Sequence, residues 1–230
     1  SNSSYYGMKQ FVGTLKLALV ILGVREVRNI VLGISVFDTL NDDGSDLKFA
    51  QKIWQSSMRT AGLAKKMATT MGLGLQGEEF TAGLLADIGK MGLLRQYHDR
   101  YLGMYKEFNN QPAKLFHAEL NEFDFTNADV ATGLAKRWNL PDTLGDALWF
   151  QCPSEDRVLD NAKDPSLCSV TRIANLAAKT DISCDEETAF LEDTEAWAIL
   201  DRAKNPIPES NRREVLMGYI EEIEAPHDDS

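Results

Sequence analysis

The chain has 230 residues, a net charge of -11 and a hydrophobic content of 43%. This apolar content excludes a disordered chain, and the acidic balance argues against broad binding to nucleic-acid backbones or anionic membranes. The three cysteines form no CxxC pair, so we expect reduced thiols in a cytoplasmic protein rather than a disulfide framework or a structural zinc site.

Two apolar segments begin the chain, over residues 11–22 and 24–40, and we interpret them as helices joined near Gly23. The most apolar stretch, residues 11–24, is shorter than the about 20 residues that a bilayer span needs. Lys16 also interrupts it, so a buried core helix is the better interpretation. Because the chain opens with Ser-Asn-Ser-Ser, we expect a truncated N-terminus.

Helical spacing dominates the next part of the chain. Apolar residues recur every three or four positions between Trp54 and Ala68, which predicts one buried helix face. The glycines over 72–77 lack the GxGxxG order of a phosphate loop and indicate a connector. Glu78 and Glu79 suit the start of a second helix. Its apolar face would carry Phe80, Leu84, Ile88 and Met91.

A third helix is predicted to start at Thr126, which forms a capping-box pattern with Asp129. Pro141 ends this helix and suits the first turn of the next, over residues 142–150. Further helices are predicted over 169–180, 186–203 and 209–224. Loops are predicted over 41–46, 109–112 and 153–165.

These segments predict an all-α fold, a bundle of roughly nine or ten helices around one core. We expect a single domain over residues 1–230. Its main core would cover 1–160, and the helices over 165–230 would be a candidate subdomain. The polar, proline-containing loop over 153–165 is the best candidate boundary.

The stretch from Ala82 to Lys90, Ala-Gly-Leu-Leu-Ala-Asp-Ile-Gly-Lys, is the most informative for function. Asp87 lies beside the apolar face, so its carboxylate is partly buried and needs a partner. That partner could be a metal, a cation such as Lys90 three residues on, or backbone amides. On these residues alone, a structural contact is the favoured interpretation.

The same stretch resembles a helix of the histidine–aspartate (HD) phosphohydrolases, Gly-Leu-Leu-His-Asp-Ile-Gly-Lys, and departs from it only at Ala86. Trp54-Gln-Ser-Ser57 is similar to Trp-x-His-Ser of the HD-related output domain (HDOD) family. Residues 2–7, 22–29 and 137–141 are similar to three more HDOD motifs, in the family's order. The resemblance covers residues 2–178 and implies the HDOD fold.

The residues that hold metal in catalytic relatives are replaced in this chain. The resemblance places the family's metal-binding positions on Ser56, Ala86, Asn127, Gln151-Cys152 and Asn175. Asp87 alone keeps a ligand-type carboxylate. Since a catalytic zinc site generally needs about three protein ligands, we expect no catalytic residue, no metal and no cofactor.

The histidines and Cys152 offer no replacement chemistry. His98, His117 and His227 fall at no ligand position of the family, and we expect them on the surface or in the core. Cys152 has no histidine beside it in sequence, so an unreactive thiol is the simpler interpretation.

The resemblance implies a bacterial signal-transduction module that is not an enzyme. Its partners would be signalling proteins, such as diguanylate cyclase, phosphodiesterase or response-regulator modules, or a small ligand. The binding site would be the vestigial cleft, formed by Ser56, Ala86, Asp87, Lys90, Asn127, Gln151 and Asn175. Two alternatives stay open: a weak phosphohydrolase that uses Mg²⁺ or Mn²⁺ at Asp87, and a purely structural domain of a larger regulatory protein.

Overall fold

The computed structural model describes residues 47–108, 111–152, 157–179 and 189–225, and all regular secondary structure within these ranges is helical. The helices are α1 (Leu47–Met71), α2 (Glu78–Leu85), α3 (Ile88–Phe108), α4 (Pro112–Phe123), α5 (Asn127–Arg137), α6 (Asp142–Trp149), α7 (Pro165–Lys179), α8 (Ala189–Glu192), α9 (Thr194–Leu200) and α10 (Arg212–Glu224). Eight of them have at least eight residues, and α8 and α9 are shorter. The predicted all-α fold and its approximate helix number are confirmed.

Several predictions fall on residues that the structure does not describe. The two apolar segments over 11–22 and 24–40, the motifs over 2–7 and 22–29, and the loop over 41–46 lie outside the described residues. The same holds for Cys184, for His227 and for the start of the helix predicted at 186.

Helix α1 packs against α2, α7 and α10. The small residues of its predicted inner face, Ala61, Ala64 and Ala68, are buried. At the crossing with α2, a Cβ atom on Gly83 would lie 2.6 Å from the Cα atom of Ala61. Because real Cβ atoms do not approach backbone so closely, this contact requires a glycine at position 83.

The helix predicted to run from Glu78 through Met91 is two helices in the structure. The chain turns at Ala86 and Asp87, where the Ala86 amide donates to the Gly83 carbonyl (3.3 Å) and the Lys90 amide donates to the Asp87 carbonyl (3.0 Å). These short-range bonds tighten the backbone between α2 and α3. The apolar spacing continues across the turn, so periodicity alone does not reveal it.

Helix α3 is kinked at Tyr97, whose backbone angles (φ -126°, ψ 28°) are not helical. The Tyr97 ring stacks on Phe123 of α4, with ring centroids 4.5 Å apart.

Helix α5 begins with the predicted capping box, in which the Thr126 amide donates to the Asp129 carboxylate (2.7 Å). That cap fixes the first turn of α5.

Two of the helices predicted in the C-terminal part differ from the structure. Helix α7 starts at Pro165 rather than at residue 169, because the Asp164 carboxylate accepts from the Leu167 amide (2.9 Å) and caps the helix. The segment over 186–203 is not one helix, since Asp193 caps a new helix, α9, by accepting from the Ala196 amide. The helix predicted over 209–224 has these bounds in the structure, with its first turn, Glu209–Asn211, in 3₁₀ geometry.

Helix α7 is the central helix of the described part and packs against α1, α2, α6 and α9. Buried Arg172 of α7 pairs with Asp193 at the start of α9. About one and two turns further on, α7 carries Asn175 and Lys179, and Lys179 bonds both Asn175 and Asp87 in the turn between α2 and α3. No helix within the described ranges is long and apolar enough to cross a membrane.

Candidate functional site

Asp87 lies in the turn between α2 and α3, with 1% of its surface exposed. Its Oδ1 atom accepts from Lys179 Nζ (2.6 Å) and lies 3.0 Å from Lys90 Nζ. Its Oδ2 atom accepts from Ser56 Oγ (3.0 Å). We call these four residues from α1, the turn, α3 and α7 the Asp87 cluster.

A hydrogen-bonded chain extends the Asp87 cluster toward the end of α6. Lys179 also donates to Asn175 Oδ1, and Asn175 Nδ2 donates to Gln151 Oε1 (3.3 Å). Gln151 is 1% exposed, and its Nε2 atom has no hydrogen-bond partner among the described residues. The structure therefore joins Ser56, Asp87, Lys90, Asn175 and Gln151 of the sequence-derived set in one region.

The other two residues of that set have different surroundings. Asn127 gives both its backbone amide (2.7 Å) and its side-chain amide (2.9 Å) to Glu119 Oε2 rather than to Asp87. Ala86 is fully buried and contributes no polar atom. The Gly89 position contacts the start of α5 so closely that a Cβ atom there would lie 1.8 Å from the Asn127 carbonyl oxygen.

Glu119 of α4 is the second buried carboxylate of this region. It accepts from the Tyr101 hydroxyl (2.7 Å) besides Asn127, and burial raises its pKa although these bonds oppose the shift. The charge of Lys90 also acts on Glu119. When all four groups are ionised, Asp87 and Glu119 balance the charges of Lys90 and Lys179, which limits the cost of burying them.

The two lysines titrate differently in this setting. Burial raises the pKa of Asp87, but the Lys179 and Lys90 ammonium groups outweigh burial and hold that pKa well below its ordinary value. Burial opposes the charged form of Lys90, yet Asp87 raises its pKa above the ordinary range. Burial, opposed by Asp87 and aided by the charge of Lys90, lowers the pKa of Lys179 to about 8.

This lowered pKa predicts a pH dependence of stability at Lys179. Between about pH 8 and the ordinary lysine value of 10.5, the unfolded chain holds a proton at Lys179 that the folded chain has lost. Stability therefore rises with pH across this window. Relative to Lys179→Met, we expect the wild type to gain up to about 3 kcal/mol between pH 7.5 and 10.5, measured by urea unfolding.

The matched control is Lys114→Met, because Lys114 is an exposed lysine of α4. Its stability curve should run parallel to that of the wild type over the same pH range. A Lys179→Met curve that also runs parallel to the wild type would contradict the assignment of the low pKa to Lys179.

The residues of this region do not fit a divalent metal ion. Asp87 is the one carboxylate at the positions that the resemblance assigns to metal binding, and no group of three His, Cys, Asp or Glu in the described ranges could hold a metal. The Lys179 ammonium bonds both Asp87 and Asn175, two of those positions. The Lys179 ammonium therefore uses the oxygen lone pairs that a metal ion would need as ligands.

Sequence reasoning missed Lys179, Glu119 and Tyr101. Lys179 is 92 residues from Asp87, and its signal in the sequence is its place four residues after Asn175, on the same face of α7. Of the three histidines and the cysteine expected to be unreactive, His227 lies outside the described residues. His98 and His117 are exposed, and burial raises the pKa of Cys152 to about 12, which keeps its thiol protonated.

A family model described as "HDOD domain" matches residues 1–152. A curated relative, an uncharacterized protein of Treponema pallidum (strain Nichols), is 22% identical over 152 residues, which are 65% of this chain and 29% of that protein. The chain thus spans less than a third of the length of this relative.

Three solved structures share the fold. An HDOD domain protein with unknown function from Geobacter sulfurreducens is 19% identical, with a TM-score of 0.68 over 96% of this chain and 78% of that chain. A Shewanella amazonensis SB2B protein, named only provisionally as a phosphohydrolase, is 21% identical with a TM-score of 0.63 over 92% and 76%. The MmoQ response regulator from Methylococcus capsulatus str. Bath is 19% identical with a TM-score of 0.50 over 92% and 80%.

Proposed function

This chain belongs to the HDOD domain family, and from that premise we propose that it is a non-catalytic module of bacterial signal transduction. It binds a signalling protein or a small ligand in the cytoplasm and does not cleave a phosphate ester. Residues 1–230 act as one domain of this kind.

The main support for the proposal is that side chains of the protein itself bind both carboxylate oxygens of Asp87. Both oxygens of this carboxylate accept hydrogen bonds, from Lys179 and Lys90 on one side and from Ser56 on the other. The carboxylate is buried, so these bonds are charge-assisted contacts in a low-dielectric setting. A divalent cation would have to displace two ammonium groups to reach it.

Displacing the ammonium groups is unfavourable for two reasons. Each displaced lysine would be a buried charge without its partner, which costs several kcal/mol. The incoming cation would also find neutral amide oxygens on Gln151 and Asn175, which are weak ligands compared with carboxylates and imidazoles. Without a tightly held metal, the described residues of this region would supply no metal-activated water for hydrolysis.

The similar proteins support a signalling role. One solved structure with this fold is a response regulator, and the Treponema pallidum relative is much longer than this chain. A domain that recurs within longer chains suits a module that receives or transmits a signal through a partner. The alternative of a purely structural domain in a larger regulatory protein predicts no specific ligand or partner.

The hydrolase alternative draws on the provisional name of the Shewanella amazonensis protein. To separate the two functions, we would titrate the chain with Mn²⁺ by calorimetry and measure turnover of an activated phosphodiester with Mg²⁺ or Mn²⁺. We expect no saturable metal site tighter than about 1 mM and no turnover above background.

Metal-dependent turnover that disappears in Asp87→Asn would overturn the proposed function. The matched control is Asp99→Asn, since 97% of the Asp99 side chain is exposed and this residue is not in the Asp87 cluster. Turnover that is equal in both variants would not depend on Asp87 and would contradict the hydrolase alternative, which places the metal on that residue.

A further inference from the structure

A cavity of about 310 Å³ lies beside the Asp87 cluster, between α1, α3, α7 and the last turn of α10. Its volume is at the lower end of the range for small-molecule sites. It is lined by Lys52, Gln55, Ser56, Arg59, Tyr105, Ala178, Lys179 and Glu224. Two of these residues, Ser56 and Lys179, also belong to the Asp87 cluster, so the cavity and the cluster are adjacent.

The lining carries an excess of positive charge in an acidic protein. Among the described lining residues, three side chains are cationic, Lys52, Arg59 and Lys179, and Glu224 is the one carboxylate. Asp87 already pairs with Lys179, and Glu224 pairs with Arg59, so the excess of positive charge comes from Lys52. The whole chain has a net charge of -11. A local concentration of cations against such a background favours a bound anion rather than a cation or an apolar ligand.

Two of the cations have donors that the described residues do not use. A lysine ammonium has three N–H donors, and those of Lys179 meet two acceptors, Asp87 and Asn175. Arg59 gives one terminal nitrogen to the Ala178 carbonyl (3.1 Å) and another to Glu224, while its buried Nε atom has no partner among the described residues. Buried donors are normally satisfied, so a ligand with several acceptor oxygens suits this site.

Resting on the proposed function, we propose that this cavity binds the phosphate group of a small phosphorylated molecule. A phosphate monoester has three terminal oxygens and about two negative charges, which match donors that come from different helices. Lysine and arginine side chains are the usual partners of such a group. In this proposal, the signal that the module detects is a small phosphorylated molecule.

The test uses inorganic phosphate as the probe, titrated by calorimetry at constant ionic strength. We expect saturable binding at one site. Lys52→Gln should weaken it about tenfold, because one charge-assisted contact is lost. Glu224→Gln should strengthen binding severalfold, because the opposing carboxylate is removed. Lys114→Gln, which removes an exposed lysine from α4 outside the cavity, should leave binding unchanged.

Titrations with two further ligands test which chemical group the cavity binds. Adenosine monophosphate should bind at least as tightly as inorganic phosphate if the ligand is a phosphorylated molecule, and acetate should bind much more weakly. Absent binding, equal losses in Lys52→Gln and Lys114→Gln, or acetate binding as tight as phosphate would each overturn the proposal. These outcomes leave the metal and turnover tests of the proposed function unaffected, so the two can fail separately.

Discussion

Replacing Asp87 by alanine should destabilise the folded chain by about 3–5 kcal/mol at pH 7. The substitution leaves the ammonium groups of Lys90 and Lys179 buried without their shared carboxylate, and their side chains are only 4% and 6% exposed. An unpaired buried charge cannot recover its lost hydration. The free energy of unfolding in urea, followed by far-ultraviolet circular dichroism, measures the effect.

Two further variants show that the loss comes from charge pairing. Asp99→Ala removes an exposed carboxylate and should change stability by less than about 0.5 kcal/mol. Combining Asp87→Ala with Lys179→Met should recover part of the loss, because one of the two unpaired charges is removed as well. If Asp87→Ala lowered the free energy of unfolding by less than about 1 kcal/mol, solvent would have to reach the Asp87 cluster, which contradicts its burial.

Gly89→Ala should destabilise the chain by more than about 3 kcal/mol. A Cβ atom at position 89 would lie 1.8 Å from the Asn127 carbonyl oxygen and 2.7 Å from its carbonyl carbon. These are backbone atoms, so the start of α5 must move away from α3. That shift would also disturb the Asn127 hydrogen bonds to Glu119.

The matched control for this substitution is Gly103→Ala on the same helix. A Cβ atom at Gly103 would meet nothing within 4 Å, so the change should stabilise α3 by about 0.5–1 kcal/mol, as in other helix interiors. The pair is measured by thermal and urea unfolding. If Gly89→Ala were as harmless as Gly103→Ala, the close contact between α3 and α5 would be wrong.

Local signals in the sequence located the starts of three helices, α2, α5 and α6. The paired glutamates at the start of α2, the capping box of α5 and the proline before α6 each placed a helix boundary correctly or within a residue. The sequence did not predict the turn at Ala86 and Asp87, because apolar residues keep their helical spacing across it. Asp193 was missed as an interruption because nothing local shows that it caps a helix and pairs with Arg172.

The candidate site was only partly accessible from sequence. A contact between Asp87 and Lys90 follows from their spacing, and the resemblance to HDOD domains pointed to Ser56, Gln151 and Asn175. The role of Lys179 depends on α7 packing against α1 and α2, which is tertiary information. The resemblance placed Asn127 at the cleft. Its partner is the Glu119 carboxylate of α4, and no motif in the sequence identifies that residue.

The kink at Tyr97 divides α3 into two arms that pack into the same apolar cluster, together with Phe49 and Ile53 of α1. The first arm carries Gly89 and Lys90, and the second carries Tyr101, whose hydroxyl donates to Glu119. Helix formation is cooperative only along an unbroken ladder of backbone hydrogen bonds. Because Tyr101 and Tyr105 of the second arm are buried and the Lys90 ammonium lies over the Tyr105 ring, only the end of α3 beyond Tyr105 can fray without changing the surroundings of Lys90.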